Sequence, residues 1–270
     1  MSAGSGPLRV AIVGAGPAGS ALGVLLTQAG ARVTLFDDDR RPELLVGESL
    51  VPAIMPILER LGIDRETASF SCVKPGVSFI WSITDRVGFT FARFAPAVPA
   101  YTYNIPRPQF DEALLARAVA SGVERVVMRA RLQPTGGGAT EPELALAPET
   151  LAAAPGLGGR QPDLIVDATG RARLGARALG IQAHVGPRKD VAHFAHFENF
   201  QWDAGEAPGQ VLIRRLPSGW SWCIPLQDRL SVGIVVDRDT AARLGPDPVE
   251  RLERAIAADP WLSGIAAGAK

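Results

Sequence analysis

The chain has 270 residues, 47% of them hydrophobic, and carries 28 basic against 28 acidic side chains. That length can bury one large core or two modest ones, and the even charge, with no basic run, excludes a field suited to nucleic acid or an anionic membrane. Cys72 and Cys223 lack C-x-x-C spacing and read as reduced thiols. The three histidines offer little metal chemistry, since His193 and His196, three apart on an expected strand, point to opposite faces.

The expected elements begin with a strand over residues 8–13, a helix over 18–29 and a strand over 33–37. Between the first two lies Gly14-Ala15-Gly16-Pro17-Ala18-Gly19, a G-x-G-x-x-G turn, and Asp37 closes the second strand. In a dinucleotide site Gly14 permits the tight turn and Gly16 lets a pyrophosphate approach the backbone. Gly19 lets the helix that starts around Ala18 lie close to the sheet, and the phosphates meet free N–H groups there. Asp37 would accept hydrogen bonds from both ribose hydroxyls and repel a 2′-phosphate, which favours FAD or NAD over NADP. The uncharged stretch 10–31 is long enough for a membrane span, but its early glycines and proline suit a strand-turn-helix unit better. Residues 1–7 lack the basic start of a cleavable signal, so the expected location is cytoplasmic.

Residues 38–42 then form a charged loop, and Gly47-Glu48-Ser49 leads toward a helix over 53–61 ended by Gly62. Segments 70–81 and 88–94 read as antiparallel strands, and 101–105 as another. Arg107-x-x-Phe110-Asp111 opens a helix to residue 120, and 123–132 returns as a strand. Residues 134–161, rich in glycine, proline and alanine, read as short strands or loop. Residues 163–170 read as a buried parallel strand ending in a glycine turn, returning to the nucleotide sheet. The last third alternates as an antiparallel sheet over 191–197, 210–216, 220–225 and 230–236. Asp247-Pro248 opens a helix to 257, and Asp259-Pro260 stops it. The fold class is α/β: a Rossmann-like dinucleotide-binding domain (1–75 and 105–180) with an interleaved antiparallel β-sheet domain (76–104 and 181–246), then a C-terminal helix in 247–270; the family resemblance that follows makes the first the FAD-binding domain and the second the substrate domain.

Four further stretches carry chemistry. Gly47-Glu48-Ser49 falls where the chain would cross the far end of an extended cofactor, or Ser49 caps the next helix. Arg107 and Asp111 make either an ion pair or a cofactor contact. Asp167-Ala168-Thr169-Gly170 ends its strand on small residues that allow close approach of a ligand. Trp220 and Trp222 share one face of a strand, an aromatic core pair in the plainest reading.

With these residues in view the chain resembles the p-hydroxybenzoate-hydroxylase-type flavoproteins, which bind FAD, through G-x-G-x-x-G with its terminal acid, R-x-x-F-D and D-A-T-G. Gly47-Glu48-Ser49-Leu50-x-Pro52 and Trp220-x-Trp222-x-Ile224-Pro225 are similar to motifs of its halogenating branch, the FAD-dependent halogenases. The resemblance implies FAD held by Gly14, Gly16, Ala18, Gly19, Asp37, Gly47, Glu48, Ser49, Arg107 and Asp167. A separate flavin reductase would supply FADH2, with halide as co-substrate, and FADH2, O2 and halide would give hypohalous acid. It further implies that Lys74 captures or orients the halogen for an electron-rich phenol or pyrrole, free or tethered to a carrier protein. Trp220 and Trp222 would separate flavin from substrate. Lys74 follows Phe70 one residue further than the F-x-x-K-x-G spacing of the family, and a surface strand lysine is the alternative. A lysine walled by apolar groups has its ammonium disfavoured and its amine made available. A flavin monooxygenase, a prenyl reductase or a non-catalytic FAD-binding relative would share the fold. The G-D-x-x-x-x-x-D-P segment of the family has no counterpart, so the chain is expected to be the front part of a longer enzyme.

Overall fold

The computed structural model describes residues 6–42, 44–82, 84–135, 143–202 and 205–269. In chain order they form β1 (Arg9–Val13), α1 (Pro17–Gln28), β2 (Arg32–Asp37), α2 (Met55–Leu61), α3 (Asp64–Phe70), β3 (Cys72–Lys74), β4 (Gly76–Ile80), β5 (Arg86–Thr90) and β6 (Thr102–Asn104). There follow α4 (Arg107–Ala120), β7 (Glu124–Val127), β8 (Leu132–Thr135), β9 (Glu143–Leu146), α5 (Pro148–Ala152), β10 (Leu164–Asp167) and α6 (Leu174–Ala178). The last third holds β11 (Asp190–Phe197), β12 (Val211–Leu216), β13 (Gly219–Pro225), β14 (Leu230–Asp237), α7 (Arg238–Leu244), α8 (Pro248–Ala258) and α9 (Pro260–Ile265).

The chain divides into two compact units, residues 1–43, 60–63 and 108–184, and residues 44–59, 64–107 and 185–270. The segments 44–59 and 64–75, expected with the FAD-binding domain, pack with the second unit, as do the C-terminal helices. In the first unit four parallel strands run in the order β10-β1-β2-β7. Val10, Ala11 and Ile12 are fully buried, as a parallel strand covered on both faces requires. One face packs Ala11, Val13 and Phe36 against Leu146 and Leu157.

The second unit is built on a six-stranded sheet in the order β11-β14-β13-β12-β4-β5, antiparallel except for the parallel pair β12 and β4. Alternation gives this sheet two different faces. Leu212, Cys223, Val232 and Ile234 face one way and pack with Leu252, Ile256 and Leu262 of α8 and α9. Asp259 ends α8 and then caps α9, accepting from the N–H groups of Trp261 and Leu262, while its other oxygen accepts from Arg214 of β12. The expected stop is therefore also a start.

Three expected strands are broken. The segment 70–81 divides because α3 runs up to Phe70 and Pro75, which has no N–H to give a ladder, separates β3, paired with β6, from β4, paired with β5 and β12. Segment 88–94 leaves its strand at Thr90 for a 3-10 turn. Segment 123–132 splits where β7, paired with β2, gives way to β8, paired with β9. Of 134–161, residues 136–142 lie outside the described ones, and the remainder forms short strands and helical turns.

Candidate functional site

The three glycines of the first turn sit in three different steric settings. Gly14 adopts φ +110, and a Cβ there would lie 2.5 Å from the Ala168 carbonyl oxygen. At Gly19 a Cβ would lie 1.9 Å from the Gly14 oxygen, so α1 can pack here only without one. At Gly16 a Cβ would meet no protein atom within 4 Å. That side of the turn is open, and α1 begins beside it with no side-chain cap and no acid in its first turn, leaving N–H groups and a positive dipole end for an anion. Ala18 is exposed at this helix start.

Asp37 ends β2 but is already engaged. Arg41 donates to both its oxygens, at 2.9 and 2.8 Å, Arg125 of β7 donates at 3.0 and 2.7 Å, and the Asp39 N–H adds a bond. Burial pushes the Asp37 carboxyl up, but these donors outweigh it and hold the group below its ordinary range. A ribose hydroxyl would have to share the carboxylate with two guanidiniums. The Asp167 carboxylate turns back on its own loop, accepting from the Thr169 N–H and hydroxyl and from the Gly175 N–H. Those bonds outweigh burial and hold its carboxyl low. Past the end of β7, a cavity of about 610 Å³ is lined by Arg129, Ala130, Arg131, Leu132, Leu174 and Arg177.

In the second unit, residues 46–51 thread between other elements. Arg107 donates to the Val46 carbonyl, and Gly47, at φ +96, has that guanidinium 3.0 Å from where a Cβ would stand. Ser49 does not cap a helix, since the next helical turn starts at Pro52 with Val51 as its cap. Its hydroxyl is buried without a hydrogen-bond partner. The Leu50 N–H donates to the Tyr103 carbonyl, and the Leu50 carbonyl accepts from Lys74 Nζ at 2.8 Å. Lys74 is only 5% exposed, on β3, with its ammonium 5.5 Å from the centre of the Phe91 ring. Burial pulls its pKa from 10.5 down to about 8. A buried lysine held by one carbonyl and one ring is not a surface strand lysine.

The second face of the six-stranded sheet is aromatic. Trp220 and Trp222 stand 5.8 Å apart between centroids, and Trp222 stands 5.8 Å from Phe194. Trp222 is 8% exposed and its Nε1–H donates to the Ser231 hydroxyl at 3.2 Å, whereas Trp220 is 38% exposed. His196 continues this row, 6.2 Å from Phe194, and its Nε2 lies 2.7 Å from Glu48 Oε1. Glu48, 2% exposed, thus reaches the sheet through a histidine that sequence reasoning passed over. Nothing local marks that pair, as 148 residues separate its members. Arg41 was also missed, though it follows Asp37 at the spacing of an i,i+4 pair.

The FAD binding domain model matches residues 7–229. The chain belongs to the FAD-binding domain family. Its relatives include a tryptophan 2-halogenase of Chondromyces crocatus, 30% identical over 237 residues, covering 86% of this chain and 44% of the relative. They also include a 1H-pyrrole-2-carbonyl-[peptidyl-carrier protein] chlorinase of Pseudomonas fluorescens, 29% identical over 259 residues, with 85% and 56% covered. Among solved structures, the myxobacterial chondrochloren halogenase CndH aligns with TM-score 0.77 at 28% identity over 98% of this chain and 61% of that one. The flavin-dependent halogenase CmlS aligns with TM-score 0.75 at 28% identity over 99% and 48%. The chain spans about half the length of the curated relatives it matches. An FAD-binding domain of this kind fits the residues of the first unit: an open Gly16 and an uncapped helix start suit the pyrophosphate of a dinucleotide. No described helix is long and apolar enough to cross a membrane.

Proposed function

We propose that this chain is the FAD-binding and lysine-bearing part of a flavin-dependent halogenase acting on an electron-rich phenol or pyrrole, free or carried on a protein. The observation that carries the reading is Lys74, a buried ammonium anchored by the Leu50 carbonyl in the unit that also holds the aromatic sheet face. Reduced FAD, when bound, supplies hypohalous acid from O2 and halide. Gly14, Gly16, Ala18 and Gly19 would hold the pyrophosphate and Asp37 the ribose, with Asp167 shaping the adjoining turn. Gly47, Glu48, Ser49 and Arg107 would line the cofactor further along. Lys74 orients hypohalous acid by donating a hydrogen bond to its oxygen, leaving the halogen the electrophilic end. Trp220 and Trp222 exclude water and keep the oxidant from reacting before the substrate ring meets it. A separate flavin reductase is the proposed source of FADH2.

The relatives named as carrier-protein chlorinase and brominase support a tethered pyrrole as one substrate form. The test supplies reduced FAD, O2 and bromide with phenol and reads product mass. Bromine incorporation that Lys74→Ala abolishes, with flavin reoxidation intact, is the expected result. Addition of one oxygen without halide would make the protein a monooxygenase instead, and bromination by the alanine variant would remove Lys74 from the chemistry.

A further inference from the structure

Lys74, Pro75 and Gly76 each fix part of one small arrangement. Gly76 pairs with Thr90 across β4 and β5, and a Cβ on it would lie 1.9 Å from the Phe89 carbonyl oxygen, so the two strands close here only over a glycine. Pro75 cannot donate to the ladder, but its carbonyl accepts from the Phe91 N–H at 2.8 Å. The residue that bears the ring is thereby tied to the residue that follows the lysine. Phe91 opens a 3-10 turn and is 8% exposed. Its ring meets Phe89 at 6.1 Å and 73°, and Phe89 meets Phe94 at 5.8 Å and 82°, both edge-to-face contacts that seat the ring. Lys74 Nζ lies 5.5 Å from the centre of the Phe91 ring. One of its N–H groups goes to the Leu50 carbonyl, while the next carbonyl along, that of Val51, is taken by the Thr102 hydroxyl at 3.3 Å.

Among the described residues no acid pairs with this ammonium. The ionisable groups of the elements around it are Cys72 on β3, Tyr101 and Tyr103 on either side of Thr102, Glu48 in the segment 46–51, Arg93 in the turn, Arg86 on β5 and Glu206 ahead of Gly209. Tyr103 pairs with Val73 and so faces away from Lys74, Glu48 contacts His196, Arg93 is exposed, and Glu206 is held by Ser78 and Arg86. The negative potential offered to the lysine is therefore that of one carbonyl and one π face.

We propose that Phe91 is a positioning residue acting through Lys74: its π face holds the lysine as an ammonium, so that N–H groups remain to donate to the oxygen of hypohalous acid. The use of those N–H groups rests on the halogenase reading, whereas the cation–ring pair does not. A carbonyl accepts from an amine as well as from an ammonium, but the ring quadrupole attracts the cation. Leu50 thus fixes where the nitrogen sits and Phe91 favours its charged form. Burial works the other way and brings the lysine down to about 8, and the ring offsets part of that pull.

Two measurements test this. The first is NMR of the chain labelled with ¹³C-lysine, in which only Lys74, Lys189 and Lys270 contribute signals. The ε-methylene signal that Lys74→Met removes should show a nuclear Overhauser contact to the Phe91 ring in the wild-type protein, and its absence overturns the pair. In Phe91→Leu the titration midpoint of that signal should fall by about 1 pH unit, and in Phe91→Tyr it should keep the wild-type value. A ring that only walled off water predicts the reverse sign, because the space left by a smaller side chain would hydrate the ammonium and raise its midpoint. An unmoved or raised midpoint in Phe91→Leu therefore overturns the proposal. The second measurement is bromination of phenol under reduced FAD, O2 and bromide. The rate of Phe91→Leu relative to wild type should be about 1 at pH 6 and about one fifth at pH 8, the ratio of protonated fractions for midpoints one unit apart. A ratio that stays constant with pH is a structural loss and removes Phe91 from the reaction. If the lysine midpoint moves as expected but the wild-type protein does not brominate, the halogenase reading fails, and with it the role in the reaction, while the cation–ring pair stands.

Discussion

Trp222 lies over Gly233 so closely that a Cβ on that glycine would come within 2.2 Å of indole Cζ2. The two residues pair across β13 and β14, and Ser231 beside them receives the indole N–H. Gly233→Ala should therefore displace the indole and destabilise the protein by about 1–3 kcal/mol through overpacking. Ser231→Ala should cost about 1 kcal/mol and shift the Trp222 indole N–H resonance without moving the sheet. Thermal unfolding and NMR of the five tryptophans read both effects, and an unaltered indole environment in Gly233→Ala would contradict this seating.

Gly16 and Gly19 should separate ligand binding from folding. Gly16→Val adds a side chain where no protein atom lies within 4 Å, so the melting temperature should hold while FAD and ADP affinity collapse. Gly19→Ala drives a methyl into the Gly14 carbonyl oxygen, so it should lower the melting temperature before any ligand is added. Retained FAD in Gly16→Val, read by flavin absorbance after purification, would displace the pyrophosphate from this turn.

Lys74 links stability to pH in a defined direction. Its pKa is about 8 in the fold and 10.5 ordinarily, so between those values the unfolded chain holds a proton that the native chain has released. Stability of the wild-type protein relative to Lys74→Met should be flat below pH 8 and climb as pH rises toward 10.5, by at most about 3 kcal/mol. Denaturant titrations of the two proteins across that window measure it. A difference that falls with rising pH would mean the ammonium is stabilised by its surroundings.

Asp37 carries the opposite sign. Its native carboxyl ionises more readily than the ordinary value of 3.8, so its contribution is complete above that pH and disappears as acid protonates the native group. Asp37→Asn leaves Arg41 and Arg125 without their shared anion and should destabilise the protein by about 3 kcal/mol at neutral pH, with a smaller difference in acid. Isothermal titration with ADP should show weaker binding in the same variant. Unchanged ADP affinity would take the ribose away from this acid.

Much of the scaffold was legible because its signals are local. The first strand, turn and helix announce themselves through an apolar run and three glycines, and the four strands of the last third through alternation. Trp220 and Trp222 could be placed on one face from spacing alone. What escaped depends on distant partners. The parallel pairing of β4 with β12 joins segments more than 130 residues apart in sequence, and α3 is too short and too polar to leave a periodic trace. Asp37 was assigned to a ribose without its two arginines, one of which arrives from β7. The break at Pro75 was readable in principle, since proline interrupts a ladder, but the β-branched residues around it argued for one long strand.

The division of labour along β13 has a consequence for how such proteins diversify. Ser221 and Cys223 look toward the helices while Trp220 and Trp222 look away from them, so replacements on alternate positions fall under independent selection. Residues 194, 213, 220 and 222 can change while the buttress formed by α8, α9 and the Asp259 clamp stays untouched. Chemical novelty on one side of a ribbon then leaves mechanical integrity on the other intact.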